Sequence, residues 1–164
     1  MMRKLFLMLG TLVFLCSCAA VFSDQALRQV DPDLPFRAVL KDPDLYRGKV
    51  MLLGGQIIVT TVKEAITWVE VLQKPLDWYH RPKDTDVSDG RFLIRFDGFQ
   101  DPAVYSSGRK ITVVGEVEGQ KILPIQQIQY TYPVLIPLEA HLWEPGLARE
   151  PRFHFGIGVG VAIN

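Results

Sequence analysis

The sequence predicts a small, mainly β barrel of five or six short, strongly bent strands with one or two short helices. Three observations predict it. Apolar stretches with strand-like alternation recur between Lys49 and Trp143. Gly54-Gly55 falls inside one of them, where paired glycines mark a bulge or sharp bend of the kind a barrel needs. One long polar loop, Gln73 to Gly90, with Pro75, Pro82 and the turn signal Ser88-Asp89-Gly90, separates the second strand from the third.

Taken in order, Ala19 to Pro35 carries Ser23, Asp24, Asp31, Pro32, Asp33 and Pro35 and reads as a tether with little core of its own. Phe36 to Lys41 fits a helical turn or two. Asp42-Pro43 resembles an N-cap followed by proline at the first helical position, and Gly48 ends that turn. Lys49 to Thr61 is the first strand. Ala65 to Leu72 is the second, with Ile66, Trp68 and Leu72 on one side and Val69 and Val71 on the other, so both faces are expected to be covered. Arg91 to Phe96 points Phe92, Ile94 and Phe96 inward and Arg91 and Arg95 outward. Asp101-Pro102 repeats the helix-start signal, and Gly108 closes that segment. Lys110 to Glu118 is a strand with Ile111, Val113 and Val117 on one face, and Glu118-Gly119-Gln120 is a turn candidate. Ile122 to Tyr132 and Val134 to Trp143 are two further extended stretches, with Pro133 and Pro137 favouring edge positions. The order strand, strand, strand, short helix, strand, strand fits a partly open barrel of the oligonucleotide/oligosaccharide-binding (OB) type better than a sandwich. Another small barrel or a sandwich stays open.

The N-terminus speaks of location. Arg3 and Lys4 precede an apolar run, Leu5 to Leu15, and then Cys16-Ser17-Cys18-Ala19-Ala20. A charged start, a short apolar centre and small residues make a secretory signal. Leu15-Cys16-Ser17-Cys18 has the form of a lipobox, the bacterial pattern in which the last cysteine is acylated and becomes the new N-terminus. Cys18 is therefore the expected lipidation site. Cys16 is excluded because bulky Leu15 would sit immediately before it. Buried acyl chains contribute about 0.8 kcal/mol per CH2, so several chains, palmitate among them, hold a protein firmly. The alternatives are an ordinary signal peptide cleaved near Ala19 or Ala20, and a retained anchor, for which the apolar run is short of the roughly 20 residues of a spanning helix. Ala19, where inner-membrane lipoproteins commonly carry Asp, points to the outer membrane and a body facing the periplasm.

Removing residues 1–17 from the 164 leaves 147, the size of one domain. The chain has 18 basic and 18 acidic residues, and the removed segment takes Arg3 and Lys4, leaving 16 against 18. That balance lacks the basic footprint of a nucleic-acid binder. The two cysteines both lie at the signal junction, so the mature body depends on packing rather than on an internal disulfide. The expected organisation is a signal at 1–17, a lipid-anchored tether at 18–35, a barrel domain at 36–144 and a glycine-rich strand or tail at 145–164.

Several segments carry a resemblance. They are Asp44-Leu45-Tyr46-Arg47-Gly48-Lys49-Val50, Leu53-Gly54-Gly55-Gln56-Ile57 and Val69-Glu70-Val71-Leu72-Gln73-Lys74-Pro75-Leu76-Asp77. Further on come Asp89-Gly90-Arg91-Phe92, Gly98-Phe99-Gln100-Asp101-Pro102, Thr112-Val113-Val114-Gly115-Glu116-Val117, Tyr130-Thr131-Tyr132-Pro133-Val134 and His141-Leu142-Trp143-Glu144. In this order, and with the lipobox, they resemble the Slp family of starvation-inducible outer-membrane lipoproteins over roughly Pro35 to Glu144. The resemblance implies an envelope location and a stress association. It supplies no catalytic residues.

Chemistry-bearing patterns are sparse. His80, His141 and His154 lack metal-ligand spacing, so no metal or other cofactor is expected. The chain has no Gly-x-Ser-x-Gly elbow, and Gly156-Ile157-Gly158-Val159-Gly160 lacks the Lys-Ser/Thr ending of a phosphate loop. Asp97 and Asp101 read as turn and cap residues rather than a carboxylate pair. Trp68 reads as core, whereas Trp78 and Tyr79, in the long loop, are the candidate exposed pair for a partner or ligand. Near the C-terminus Phe153, Phe155, Ile157, Val159 and Val161 alternate with His154, three glycines and Ala162. This reads as a last strand packed closely on the barrel, or as one that assembles with a neighbouring copy or partner sheet or meets the bilayer. The expected role is that of a non-enzymatic lipoprotein serving envelope structure or interaction, through an envelope protein or self-association. A module binding a glycan or lipid is the alternative.

Overall fold

A computed structural model describes residues 20–145. Cys18, the 1–17 signal and the tail that holds Phe153, Phe155, Ile157 and Val159 lie outside the described residues. The described chain runs α1 (Asp24–Leu27), α2 (Phe36–Lys41), a 3-10 turn (Pro43–Tyr46), β1 (Val50–Lys63), β2 (Ile66–Gln73), β3 (Arg91–Asp97), β4 (Lys110–Ile125) and β5 (Ile128–Leu142). The strands close into one barrel in the order β1-β2-β3-β5-β4. The expected mainly β barrel with short helices forms, with five of the expected five or six strands, and it is closed rather than partly open. Among the described residues no helix is long and apolar enough to cross a membrane.

Closure depends on two devices. The first is β1, which pairs with β4 through Val50–Gln56 and with β2 through Gly55–Lys63. Gly55 stands opposite both Gln73 and Ile111, where the strand passes from one partner to the other. A Cβ there would lie 2.0 Å from the Leu72 carbonyl oxygen, so only glycine lets the two backbones approach. The second is the β3–β5 seam, the parallel pairing of Leu93 with Val134 and Ile94 with Leu135. Pro133 and Pro137 flank those two pairs. Neither has an N–H to donate, which keeps the seam short.

Inside the barrel, Ile57, Val69, Val71, Phe92, Ile94, Ile111, Val113, Val117 and Leu135 are essentially fully buried. The alternation read from β2, β3 and β4 is thus real: one side of each strand fills this core. Phe36 and Val39 of α2 join the same cluster, with the Phe36 ring edge-on to Phe92 at 5.9 Å. The outer side of the sheet is also covered in two places. Leu93, Tyr132 and Val134 form one outer cluster, against which Trp68 packs. Phe22, Ala26, Val50 and Val114 form the other.

Three local expectations change. The 18–35 stretch contributes more than a tether: Phe22 is 2% and Ala26 3% exposed, and Val21, Leu27 and Val30 pack beside them. Ser23 caps α1 by accepting from the Ala26 N–H. The Asp31 N–H then donates to the Val50 carbonyl, laying the segment along β1. Asp101-Pro102 opens a turn rather than a helix, with the Asp101 carboxylate accepting from the Ala103 N–H. Gly119 is no turn between strands. It lies inside β4 at φ +135, next to a register shift, and β4 runs on to a hairpin at Gln126.

Candidate functional site

The loop between β2 and β3 crosses the outside of the barrel and packs on the N-terminal segment. Gly54 makes room for it on β1: a Cβ there would meet Leu76 Cδ2 at 2.8 Å and Thr112 Oγ1 at 2.9 Å. The loop then tightens around Asp77. Its carboxylate accepts from the N–H groups of Tyr79 (2.9 Å) and Arg81 (2.8 Å), its N–H donates to the Arg81 carbonyl, and its own carbonyl accepts from His80. This is an Asx-type turn, and it holds His80 at φ +66. The His80 carbonyl accepts from Thr112 Oγ1 of β4, and the His80 ring lies edge-on to Phe22 at 6.2 Å.

The turn presents Trp78 and Tyr79 outward. Trp78 is 78% and Tyr79 56% exposed, and their rings lie against each other. The expected exposed pair is therefore in place. Trp68 is not with it. That ring is half-buried under Lys121 of β4, whose ammonium stands 3.5 Å from the ring centroid. Burial, and secondarily Lys63, hold the Lys121 ammonium below the usual lysine range.

The N-terminal segment is fastened at its far side as well. The Ser23 N–H donates to Glu139 of β5 (2.9 Å), and the Ser23 hydroxyl bonds to the same carboxylate. Those bonds hold the Glu139 carboxyl below its ordinary range, the hydroxyl contributing most.

Between the loop and the Ser106–Lys110 stretch lies a polar cleft of about 1050 Å3. Lys74, Arg81, Lys83, Arg109 and Lys110 line it, with Asp84, Asp86 and Glu144. Lys74 is only 8% exposed, and its ammonium donates to the Thr85 carbonyl at 2.7 Å. Arg109 donates to the carbonyls of Trp143 (2.9 Å) and Val104 (2.8 Å), so its guanidinium is committed to tying the turn after Asp101 to the chain just past β5. Lys110 pairs with Asp84 at 2.6 Å. The basic excess suits an anionic or hydroxylated ligand. Sequence reasoning missed this cleft because its residues are scattered over separate stretches, each reading as ordinary surface.

The remaining candidates stay apart. His141 packs against Trp143, not against His80, and His154 lies outside the described residues. Asp97 faces Arg95, whereas Asp101 caps its turn. Among the described residues no three His, Cys, Asp or Glu side chains gather as a metal site. An ionic cluster of Glu70 with Arg91 and Tyr132 sits on the outer face of the barrel and joins β2, β3 and β5.

Comparison with known proteins adds the following. The family model described as "Outer membrane lipoprotein Slp family" matches residues 15–156, most of the chain. An uncharacterized protein of Haemophilus influenzae is 38% identical over 96 residues, covering 58% of this chain and 52% of the relative. Outer membrane protein Slp of Escherichia coli K12 is 30% identical over 132 residues, covering 80% of this chain and 70% of the relative. The aligned stretch therefore spans about half the length of the first relative. No solved structure matches the chain.

Proposed function

Since the chain belongs to the outer membrane lipoprotein Slp family, we propose that it is a lipid-anchored outer-membrane lipoprotein whose barrel faces the periplasm and serves envelope structure or interaction without catalysing a reaction. The observation that carries the reading is the lipobox ending at Cys18, three residues before the point where Val21 docks on the barrel. The thiol is the acylated group, and the chains supply the membrane affinity. Among the described residues the barrel supplies a rigid body with an exposed aromatic pair and a polar cleft, features of recognition rather than of bond-making. A stress or starvation association follows the family resemblance and is part of the same proposal. Cys18→Ala should move the protein from the outer-membrane fraction to a soluble one. Undiminished membrane retention of that variant would sink the anchor.

A second reading has its own observation. The cleft around Lys74 combines a nearly buried ammonium with further basic groups at its rim. A glycan- or lipid-binding module would use it. A screen of acidic glycans and phospholipids against Lys74→Met and the parent protein tests this reading, and identical profiles for the two would remove the cleft from it.

A further inference from the structure

We propose that the turn carrying Trp78 and Tyr79 is a second membrane contact, seated in the headgroup region of the bilayer leaflet that holds the acyl chains. The proposal rests on acylation of Cys18.

Val21 and Phe22 are docked on the barrel, and Phe22 is 2% exposed. Three residue steps separate Cys18 from Val21. Whatever their conformation, three steps span at most about 11 Å. A compact body of 126 residues has a radius of gyration of about 14 Å. The link is shorter than the body's own radius, so the barrel cannot swing clear of the bilayer. The surface around Phe22 is held against it.

That surface includes the aromatic turn. The Phe22 ring touches His80, and His80 follows Tyr79 directly. The Asp77 carboxylate and the Thr112 bond to the His80 carbonyl fix the turn, so the two rings are presented without a further ordering cost. Tyr and Trp are the side chains that favour the membrane–water interface, with an apolar body and one polar group each. A 78% exposed Trp78 beside a 56% exposed Tyr79, at the anchored end of the molecule, matches that interface. A soluble protein partner would have to approach through the narrow space beside the bilayer.

The test uses the full lipoprotein reconstituted in phosphatidylethanolamine–phosphatidylglycerol vesicles doped with a brominated-chain phospholipid. Parent and Trp78→Phe proteins are compared for flotation with the vesicles and for quenching of tryptophan fluorescence. Trp78 is exposed, so the substitution leaves the fold intact. The expected result is that both proteins float and that a quenched component present in the parent is lost in Trp78→Phe. If both float and are quenched to the same degree, the second contact is wrong while the lipid anchor stands. If the parent itself fails to float, the anchor reading falls, and this inference goes with it.

Discussion

Glu70 serves two partners on the outside of the barrel. Its Oε1 accepts from Arg91 Nη1 at 2.7 Å and from the Tyr132 hydroxyl at 2.9 Å. Tyr132 is 1% exposed, and burial, followed by the bond to anionic Glu70, pushes its phenol up to about 12. Arg91 opposes the shift. The folded state thus keeps a proton that the unfolded chain, with a tyrosine near 10, gives up. The stabilisation is complete below pH 10 and is lost as pH rises from about 10 to about 12. At about 1.4 kcal/mol per pKa unit its ceiling is about 3 kcal/mol. Urea unfolding at pH 9 and pH 11 should show a steeper alkaline loss in the parent than in Tyr132→Phe. Parallel pH dependence in the two would show that this phenol is not coupled to folding. Of this cluster only Arg91 was legible, as an outward position on an alternating strand; Glu70 lay in a strand whose two faces both read as covered, and Tyr132 in an extended stretch without a marker. Their convergence was not legible, because it depends on β5 crossing back beside β3.

At the scale of elements, the two adjacent glycines of β1 have different duties. A Cβ on Gly55 meets backbone, the Leu72 carbonyl oxygen at 2.0 Å, and the strands must part to admit it. On Gly54 the nearest atom is the Leu76 side-chain tip at 2.8 Å, which can rotate away, although the Ile111 carbonyl at 2.9 Å adds some resistance. Gly55→Ala should therefore cost more than Gly54→Ala, by about 1–3 kcal/mol given the usual cost of overpacking. Chemical denaturation of the two variants measures the difference, and an equal or reversed order would contradict this account of barrel closure. The glycine pair was visible in the sequence as a bend, and the strands were visible as alternation. The hairpins were less so. The β1–β2 turn places Glu64 at φ 53 and Ala65 at φ 63, a two-residue left-handed turn without the Asn-Gly or Asp-Gly signal that usually announces one. The β4–β5 hairpin turns at Gln126, φ 53, equally without a marker. That is why one long β4 read as a strand, a turn and part of another strand.

At the scale of the whole molecule, the N-terminal segment links location to orientation. Its polar, proline-containing sequence suggested a loose tether, because Phe22 and Ala26 are too few to announce a core. Their burial comes from the outer face of β1 and β4, where Val50 and Val114 complete the cluster. The exposed aromatic pair was legible from its place in a polar loop, and the signal and lipobox from charge, apolar run and small residues. The polar cleft was not, since no local pattern joins Lys74 to Arg109. The most direct measurement is the intact mass of the protein extracted from membranes. The mature chain should begin at Cys18 and carry the added mass of acyl chains on that residue. A mature chain that begins elsewhere and has the mass of its amino acids alone would contradict it.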